Sequence, residues 1–300
     1  MNAYLGEIVA LLTALLWSVT SLLFTIASKQ VGSEHVNRIR LLIATAVLSL
    51  VHFLWQGTLL PIDAEPSRWG WLGVSAILGL VVGDGLLYYA FTAIGTRLAM
   101  LLMTLSPVIG TFLAWVFLHE TLSAMKIGAI LLTMGSVAWV TLERGNANPA
   151  RHSPRDYLIG VLCGIGSAFG QATGLILSKQ GMSGDFPALS ASLIRLFVAM
   201  ITIWLWALLR GQARVTVQSL RHRRAAGAIL GGSLVGPVSG MTLSLLAVQL
   251  THVGIASTLM SLSPVLLLPL VHWIFKEPIS LRAIIGTVVA IVGVAIIFWV

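Results

Sequence analysis

Apolar residues fill this chain in long runs that short polar segments interrupt. We count ten runs of about 20 residues, the length that a helix needs to cross a hydrocarbon core of about 30 Å. The pattern therefore predicts an all-α polytopic membrane protein with ten transmembrane helices, called spans 1 to 10 below. Their predicted limits are 4–27, 39–56, 69–94, 98–118, 122–142, 157–177, 188–209, 225–250, 254–275 and 281–299.

The second half of the sequence repeats the first. The stretch LSPVIGTFLAWVFLHETLS at 105–123 returns as LSPVLLLPLVHWIFKEPIS at 262–280, and Ser-Lys-Gln at 28–30 returns at 178–180. Each copy holds five spans, an odd number, so the second copy inserts upside down relative to the first. Inverted repeats of this kind are typical of secondary transporters. We predict a first repeat at 1–142, a linker at 143–156 and a second repeat at 157–300.

The composition and the loop charges support a membrane protein and predict its orientation. The chain is 57% hydrophobic and only 9% charged, unlike an ordinary soluble domain. Fourteen Lys and Arg lie in the loops after the odd-numbered spans or at the adjoining span ends, three lie on the opposite side, and Arg195 lies inside span 7. We call these sides the basic face and the terminal face. The positive-inside rule places the basic face in the cytoplasm and both termini outside. The basic excess therefore points to the lipid bilayer and not to a nucleic-acid partner.

Asp84 is the only acidic residue well inside a span. It lies between Gly83 and Gly85 near the middle of span 3, where an ionised carboxylate costs at least about 2.5–3.5 kcal/mol. The side chain should therefore face a polar cavity, pair with a base or be protonated. A functional role would be to exchange a proton or to bind a substrate amine. A structural role would be to hydrogen-bond a neighbouring helix.

Other polar and aromatic residues are candidates for the lining of a cavity with Asp84. One lies a turn beyond Asp84 on the same helical face, two lie in span 1, and two lie in span 6, the counterpart of span 1. The alternative is that the rings pack and the hydroxyls bond their own backbone. The candidates are Tyr88, Trp17, Ser18, Gln171 and Thr173.

Glycine and proline interrupt span 8 at Gly236, Pro237 and Gly240. By the repeat offset of 157 residues, Gly240 matches Gly83, so both glycine-rich stretches lie at equivalent depths. Interrupted helices at membrane depth line a cavity or form a hinge. The alternative is close helix packing.

Pro107 and Pro264 are matching prolines in the middle of spans 4 and 9. Because proline removes a helical hydrogen bond and bends the helix, the pair predicts a pivot in each half or a static kink.

Arg40 and Arg195, each within Ile-Arg-Leu, begin spans 2 and 7 and lie toward opposite membrane faces. We expect both to snorkel to the interface, although Arg195, the deeper one, is a candidate to attract an anionic group. Glu120 and Glu277 each precede a serine by three residues. We expect the serine to cap the following helix and the acid to complement its positive end.

The sequence contains no signature of a metal site, a cofactor site or a nucleotide site. The single cysteine, Cys163, excludes a multi-cysteine metal site, and the histidines are scattered. The chain also lacks a P-loop and a GxSxG elbow, which argues against an ATP-driven pump and a serine hydrolase.

The two copies resemble the EamA-type repeat of the drug/metabolite transporter superfamily over nearly the whole chain. The resemblance rests on the Trp17-Ser18 pair and on Pro-Glu-Ser patterns at Pro107, Glu120 and Ser123 and at Pro264, Glu277 and Ser280. It implies two inverted five-helix repeats, a central cavity, and transport of small metabolites, often amino acids or related solutes outward. Branches that carry nucleotide sugars and triose phosphates hold anionic substrates with Lys or Arg. The deepest charge here is an acid, Asp84, which argues against those branches.

We therefore predict a secondary transporter of the inner membrane that exports an amino acid or a related solute by alternating access. Spans 3, 4, 8 and 9 would form the cavity, and Asp84 would contact substrate or couple transport to protons. A membrane-embedded enzyme would need clustered acids or histidines, and only one deep acid is present. A structural or lipid-binding protein would not need matched glycine and proline breaks. The sequence leaves the substrate, the direction of transport and the oligomeric state open.

Overall fold

The computed structural model describes residues 4–143, 154–275 and 280–299. Within these residues every regular element is helical, and ten helices are long and apolar enough to cross a membrane. The predicted all-α polytopic fold of two five-helix repeats is thus confirmed. Most of the predicted linker lies outside the described residues, as does Glu277.

The ten spans lie within a few residues of their predicted limits. The largest difference is at span 2, which begins six residues earlier than the hydropathy predicts. Its polar first turns are helical because Arg38 is buried and donates hydrogen bonds to Glu34 and to Thr216 of the loop helix Ala213–Ser219. The spans are Leu5–Val31, Ser33–Gln56, Pro66–Phe91, Leu98–Leu118, Ala124–Leu142, Arg155–Gly181, Ala188–Leu209, Arg223–Leu250, Val253–Leu270 and Leu281–Trp299.

Spans 3 and 8 each contain a π-helical segment at the same place in the repeat. The segment in span 3 is Ile77–Gly83 and the segment in span 8 is Leu234–Gly240, which the repeat offset of 157 residues superimposes. A π-helical turn is rare and is often found at functional sites. Span 3 comprises the helix Pro66–Ala76, this segment and the start of the helix Asp84–Met103; span 8 comprises Arg223–Ser233, its segment and Met241–Leu250.

Spans 4 and 9 are broken, again at equivalent positions. The helix Asp84–Met103 runs from span 3 into span 4 and stops at Thr104, before Leu105–Leu118. Span 9 is divided into Val253–Met260 and Ser263–Phe275. Pro107 and Pro264 both lie in the first turn after the break, where proline is well tolerated. The remaining long helices are Ala124–Glu143, Pro154–Gly181 and Leu281–Trp299.

The two repeats exchange packing partners in the centre. Span 1 of the first repeat packs on span 8 of the second, and span 6 of the second repeat packs on span 3 of the first. A methyl group added to Gly236 would lie 2.5 Å from Thr20, and one added to Gly174 would lie 3.3 Å from the Cα of Gly79. These glycines therefore permit close helix contact, and they hold both π-helical segments against the central spans.

Candidate functional site

The two π-helical segments adjoin a central cavity of about 270 Å³. Its walls come from seven spans, which include spans 1, 2, 6 and 7 besides the predicted spans 3, 8 and 9. The fourth predicted wall, span 4, supplies none of the lining. The cavity is amphipathic, with three charged side chains among apolar ones. The lining residues are Trp17, Arg40, Leu41, Leu80, Asp84, Gln171, Leu175, Arg195, Pro237, Met241, Ser244 and Met260.

Asp84 forms an ion pair with Arg40 in this cavity. The distance between Asp84 Oδ2 and Arg40 Nη2 is 2.8 Å. Its other oxygen, Oδ1, accepts a hydrogen bond of 2.9 Å from Gln171 Nε2, which also lies 3.2 Å from the Gly79 carbonyl oxygen. Of the three outcomes that the sequence predicted for this carboxylate, the structure has pairing with a base, at the edge of a polar cavity.

Arg40 does not snorkel to the interface, so that expectation was wrong. Its side chain is only 12% exposed, its Nε donates a 2.7 Å hydrogen bond to Asn37 Oδ1, and its guanidinium lies 5.6 Å from the centre of the Phe24 ring. The carboxylate of Asp84 and the face of the ring together stabilise an inward-facing charge.

Arg195 also faces the cavity, but among the described residues it forms no ion pair within 4.0 Å, and Asp84 acts on it only at longer range. The residue is 4% exposed, and its Nε makes no hydrogen bond within the described part of the chain. Its Nη2 would lie 3.5 Å from a methyl group added to Gly79 of the span 3 π-helical segment. The cavity therefore holds two arginines and one carboxylate. Sequence reasoning expected both arginines at the interface and kept a role toward an anionic group open for Arg195 alone. The shared Ile-Arg-Leu motif was the available signal for their inward position.

The structure brings together four of the residues predicted to form the site. Trp17, Asp84, Gln171 and Pro237 all line the cavity. Trp17 Nε1 donates a 3.3 Å hydrogen bond to Ser244 Oγ, a residue that sequence reasoning missed. The glycines at the ends of the π-helical segments lie beside these residues: Gly83 near Gln171 and Gly240 near Trp17.

Ser18 and Thr173 do not line the cavity. Ser18 is fully buried, and its Oγ contacts the carbonyl oxygens of Ala14 at 2.7 Å and Ser263 at 2.8 Å. The Ser18 hydroxyl therefore contacts backbone carbonyl oxygens, which is the alternative to a place in the cavity lining that the sequence left open. Thr173 Oγ1 is buried and has no hydrogen-bond partner among the residues described.

Tyr88 and Gly85 line a neighbouring groove of about 730 Å³ that opens toward the basic face between spans 2, 3 and 7. Asn37, which bonds Arg40, lines the same groove. The Arg40–Asp84 pair therefore lies between the groove and the central cavity.

A polar cluster joins four segments at the terminal face. Lys179 Nζ lies 2.7 Å from Glu120 Oε1 and donates a 2.7 Å hydrogen bond to the Thr251 carbonyl oxygen. Glu120 Oε2 accepts a 2.8 Å hydrogen bond from the Val253 backbone N–H, and Thr251 Oγ1 donates to Glu7 Oε1 at 2.9 Å. Glu120 thus caps span 9 of the other repeat, and not the following span 5 as expected. Ser123 caps span 5 through the Lys126 backbone N–H, as predicted.

Comparison with known proteins supports the architecture. The sequence model of the EamA-like transporter family matches residues 4–142 and again residues 158–299. A solved crystal structure, 16% identical in sequence, superimposes with a TM-score of 0.74 over 97% of this chain and 95% of that chain. At this identity the likeness shows the fold alone. No curated protein matches the chain.

Proposed function

This chain belongs to the EamA-like transporter family, and from that premise we propose that it exports an amino acid or a related small solute across the inner (plasma) membrane by alternating access. The observation that carries the proposal is the central cavity, which combines the Arg40–Asp84 pair and Arg195 with apolar walls. A solute with charged groups and an apolar body fits these walls.

Two features at opposite faces support alternating access. At the terminal face, the cluster around Glu120 and Lys179 joins segments of both repeats. At the basic face, the groove beside Tyr88 leads to the Arg40–Asp84 pair. We interpret this conformation as closed on the terminal face, with the groove as the entry route from the basic face.

Asp84 is the proposed coupling residue. Its charged form is stabilised by Arg40 and Gln171, so a proton that binds the carboxylate would weaken both contacts and free the Arg40 guanidinium. Because this pair lies between the groove and the cavity, its breaking would change access to the cavity. Proton binding and solute movement would then share one element.

Binding to purified protein and uptake into proteoliposomes test the proposal. We expect at least one amino acid, from a panel that also contains amines, nucleosides and sugars, to raise the melting temperature and to exchange across the vesicle membrane. Trp17→Ala should weaken both effects, because Trp17 lines the cavity. Trp55→Ala, which removes an indole that is 81% exposed at the end of span 2, is the matched control. A protein that binds and exchanges none of the panel would contradict the proposal.

A further inference from the structure

The two repeats carry the same arginine but not the same acid. Arg40 and Arg195 occupy matching Ile-Arg-Leu motifs in spans 2 and 7, and both line the cavity. Asp84 follows the π-helical segment of span 3, whereas the residue that follows the π-helical segment of span 8 is Met241. The inverted symmetry is therefore broken where the second arginine would find its carboxylate.

This break leaves Arg195 without a carboxylate of its own in the described residues, because Asp84 is paired with Arg40 and acts on Arg195 only through its longer-range charge. Arg40 has a carboxylate oxygen at 2.8 Å, while Arg195 forms no ion pair within 4.0 Å in the described parts of the chain. Its Nε is buried without a hydrogen-bond partner. Burying an arginine in this way is costly unless an anion can approach it. Met241, at the position of the missing acid, lines the same cavity, so the space beside it is open to a ligand.

We propose that the transported solute carries a carboxylate, and that this carboxylate binds Arg195 in the place that an acid of span 8 would occupy. The inference rests on the proposed function and specifies its substrate class. A planar guanidinium binds a carboxylate through two parallel hydrogen bonds. With Arg40 neutralised by Asp84, a single positive charge remains, which matches a monoanion better than a phosphate dianion.

The remaining walls restrict the rest of the solute. Leu80, Leu175, Met241 and Met260 form apolar surface, and the volume of about 270 Å³ lies just below the range of about 300–1,000 Å³ that is usual for drug-sized ligands. The substrate class is therefore a small carboxylic acid with an apolar body. An amino acid with an apolar side chain belongs to this class, and a nucleotide or a sugar phosphate does not.

Matched compounds and four variants test this inference. Melting temperatures of the purified protein would be measured with the apolar amino acids, their amides, the amines without the carboxylate and the acids without the amine. The variants are Arg195→Gln, which removes the charge, Arg195→Lys, which keeps it, Met241→Asp, which supplies the missing acid internally, and Met241→Asn, the neutral control of nearly the same shape.

We expect carboxylates to stabilise the wild-type protein and their amides and amines to have no effect. Arg195→Gln should weaken carboxylate affinity at least about 30-fold, and Arg195→Lys should retain part of it. Met241→Asp should abolish carboxylate binding by occupying Arg195, while Met241→Asn keeps it. Arg68→Gln, at an arginine outside the cavity that bonds the Ser183 carbonyl oxygen, should leave affinity unchanged.

Three results would overturn the inference: stabilisation by amides as strong as by acids, unchanged affinity in Arg195→Gln, or no stabilisation by any carboxylate. Uptake of a neutral or cationic solute by wild type and Arg195→Gln alike would overturn the inference while leaving transport itself intact. Absence of any transport would instead count against the proposed function.

Discussion

Lys179 Nζ and Glu120 Oε1 lie 2.7 Å apart and link span 6 of the second repeat to the turn after span 4 of the first. The contact is a close charge pair without the alignment of a hydrogen bond to Oε1. Both residues also hold the turn before span 9, through the Thr251 carbonyl oxygen and the Val253 backbone N–H. Three segments that would have to separate for the terminal face to open are therefore joined by one pair.

Removing this pair should open the terminal face. In a Cys163→Ser background with Ser244→Cys as a cavity probe, Glu120→Gln should increase labelling by an impermeant maleimide added to the terminal face. We expect labelling to increase about fivefold or more, because free energies that couple one site of a protein to a change at another are typically about 1–3 kcal/mol. Lys126→Met is the control, because Lys126 lines a pocket together with Glu120 and Lys179 but forms no ion pair in the described structure. Equal labelling of the two variants would show that the Lys179–Glu120 pair does not keep the terminal face closed.

Asp84→Asn should abolish uptake driven by a pH gradient in vesicles. The asparagine can still accept a hydrogen bond from Gln171 or Arg40, but it cannot carry the proton. It also leaves Arg40 without its counter-charge, and removal of one partner of a buried ion pair typically costs about 3–5 kcal/mol. Because the two side chains are 12% and 16% exposed, we expect a loss of stability below that range.

The double variant Arg40→Gln/Asp84→Asn separates the two effects. It removes both charges, so the melting temperature should return toward that of the wild-type protein while proton-driven uptake stays absent. If Asp84→Asn transports with unchanged proton dependence, Asp84 does not couple transport. If the double variant regains proton-driven uptake, the loss in the single variant came from the unpaired Arg40.

The fold could be predicted from this sequence because each helix is encoded locally by its own apolar run. Span 2 shows the limit of that signal, because hydropathy excludes its polar first turns, whereas Arg38 makes them helical through partners in the loop helix Ala213–Ser219. The π-helical segments were anticipated only as glycine-rich interruptions. Glycine and proline mark where regular packing stops, but the type of helix that replaces it depends on the opposing spans.

The site was only partly predictable, because side-chain direction depends on how each helix is rotated against its neighbours. Gln171 reaches Asp84 across the contact between spans 6 and 3. The sequence pattern had indicated Gln171 as a candidate to line a cavity with Asp84. Ser18 is the counterexample, since its hydroxyl bonds backbone of spans 1 and 9. Arg40 and Arg195 were expected at the interface because they lie near span ends. The acid that turns Arg40 inward is 44 residues away, beyond the reach of any local pattern.

The loop charges predict that the basic face is cytoplasmic. With Cys163 replaced by serine, single cysteines would be placed at Ser67 in the first turn of span 3 and at Gln218 in the loop helix between spans 7 and 8, where both side chains are exposed. An impermeant maleimide added to intact cells should label Ser67→Cys and leave Gln218→Cys protected until the cells are permeabilised. The reverse pattern would show that the positive-inside rule fails for this chain.

The breaks in spans 4 and 9 differ in how they are held. At the break in span 9, Ser263 Oγ donates a 3.0 Å hydrogen bond to the Ala14 carbonyl oxygen, and Ser18 Oγ donates to the Ser263 carbonyl oxygen. Beside the break in span 4 there is a weaker contact, from Ser167 Oγ to Met103 Sδ at 3.3 Å. Equivalent breaks therefore have different surroundings in this conformation, as expected when two inverted repeats adopt different bends.

Pro107→Ala and Pro264→Ala should shift accessibility of the cavity in opposite directions. Each proline follows a break in its own half, and alanine would let the helix continue across that break by restoring a backbone donor. A straightened helix in one repeat changes closure at only one membrane face. The variant should therefore shift the population of protein molecules toward the conformation that is open to one particular face. Labelling of Ser244→Cys from each face would measure this shift. Pro269→Ala is the control. Pro269 lies in the same helix of span 9, but it has no proline counterpart in the first repeat, where the matching residue is Phe112. If both variants shift labelling the same way, or neither differs from Pro269→Ala, the prolines are static kinks.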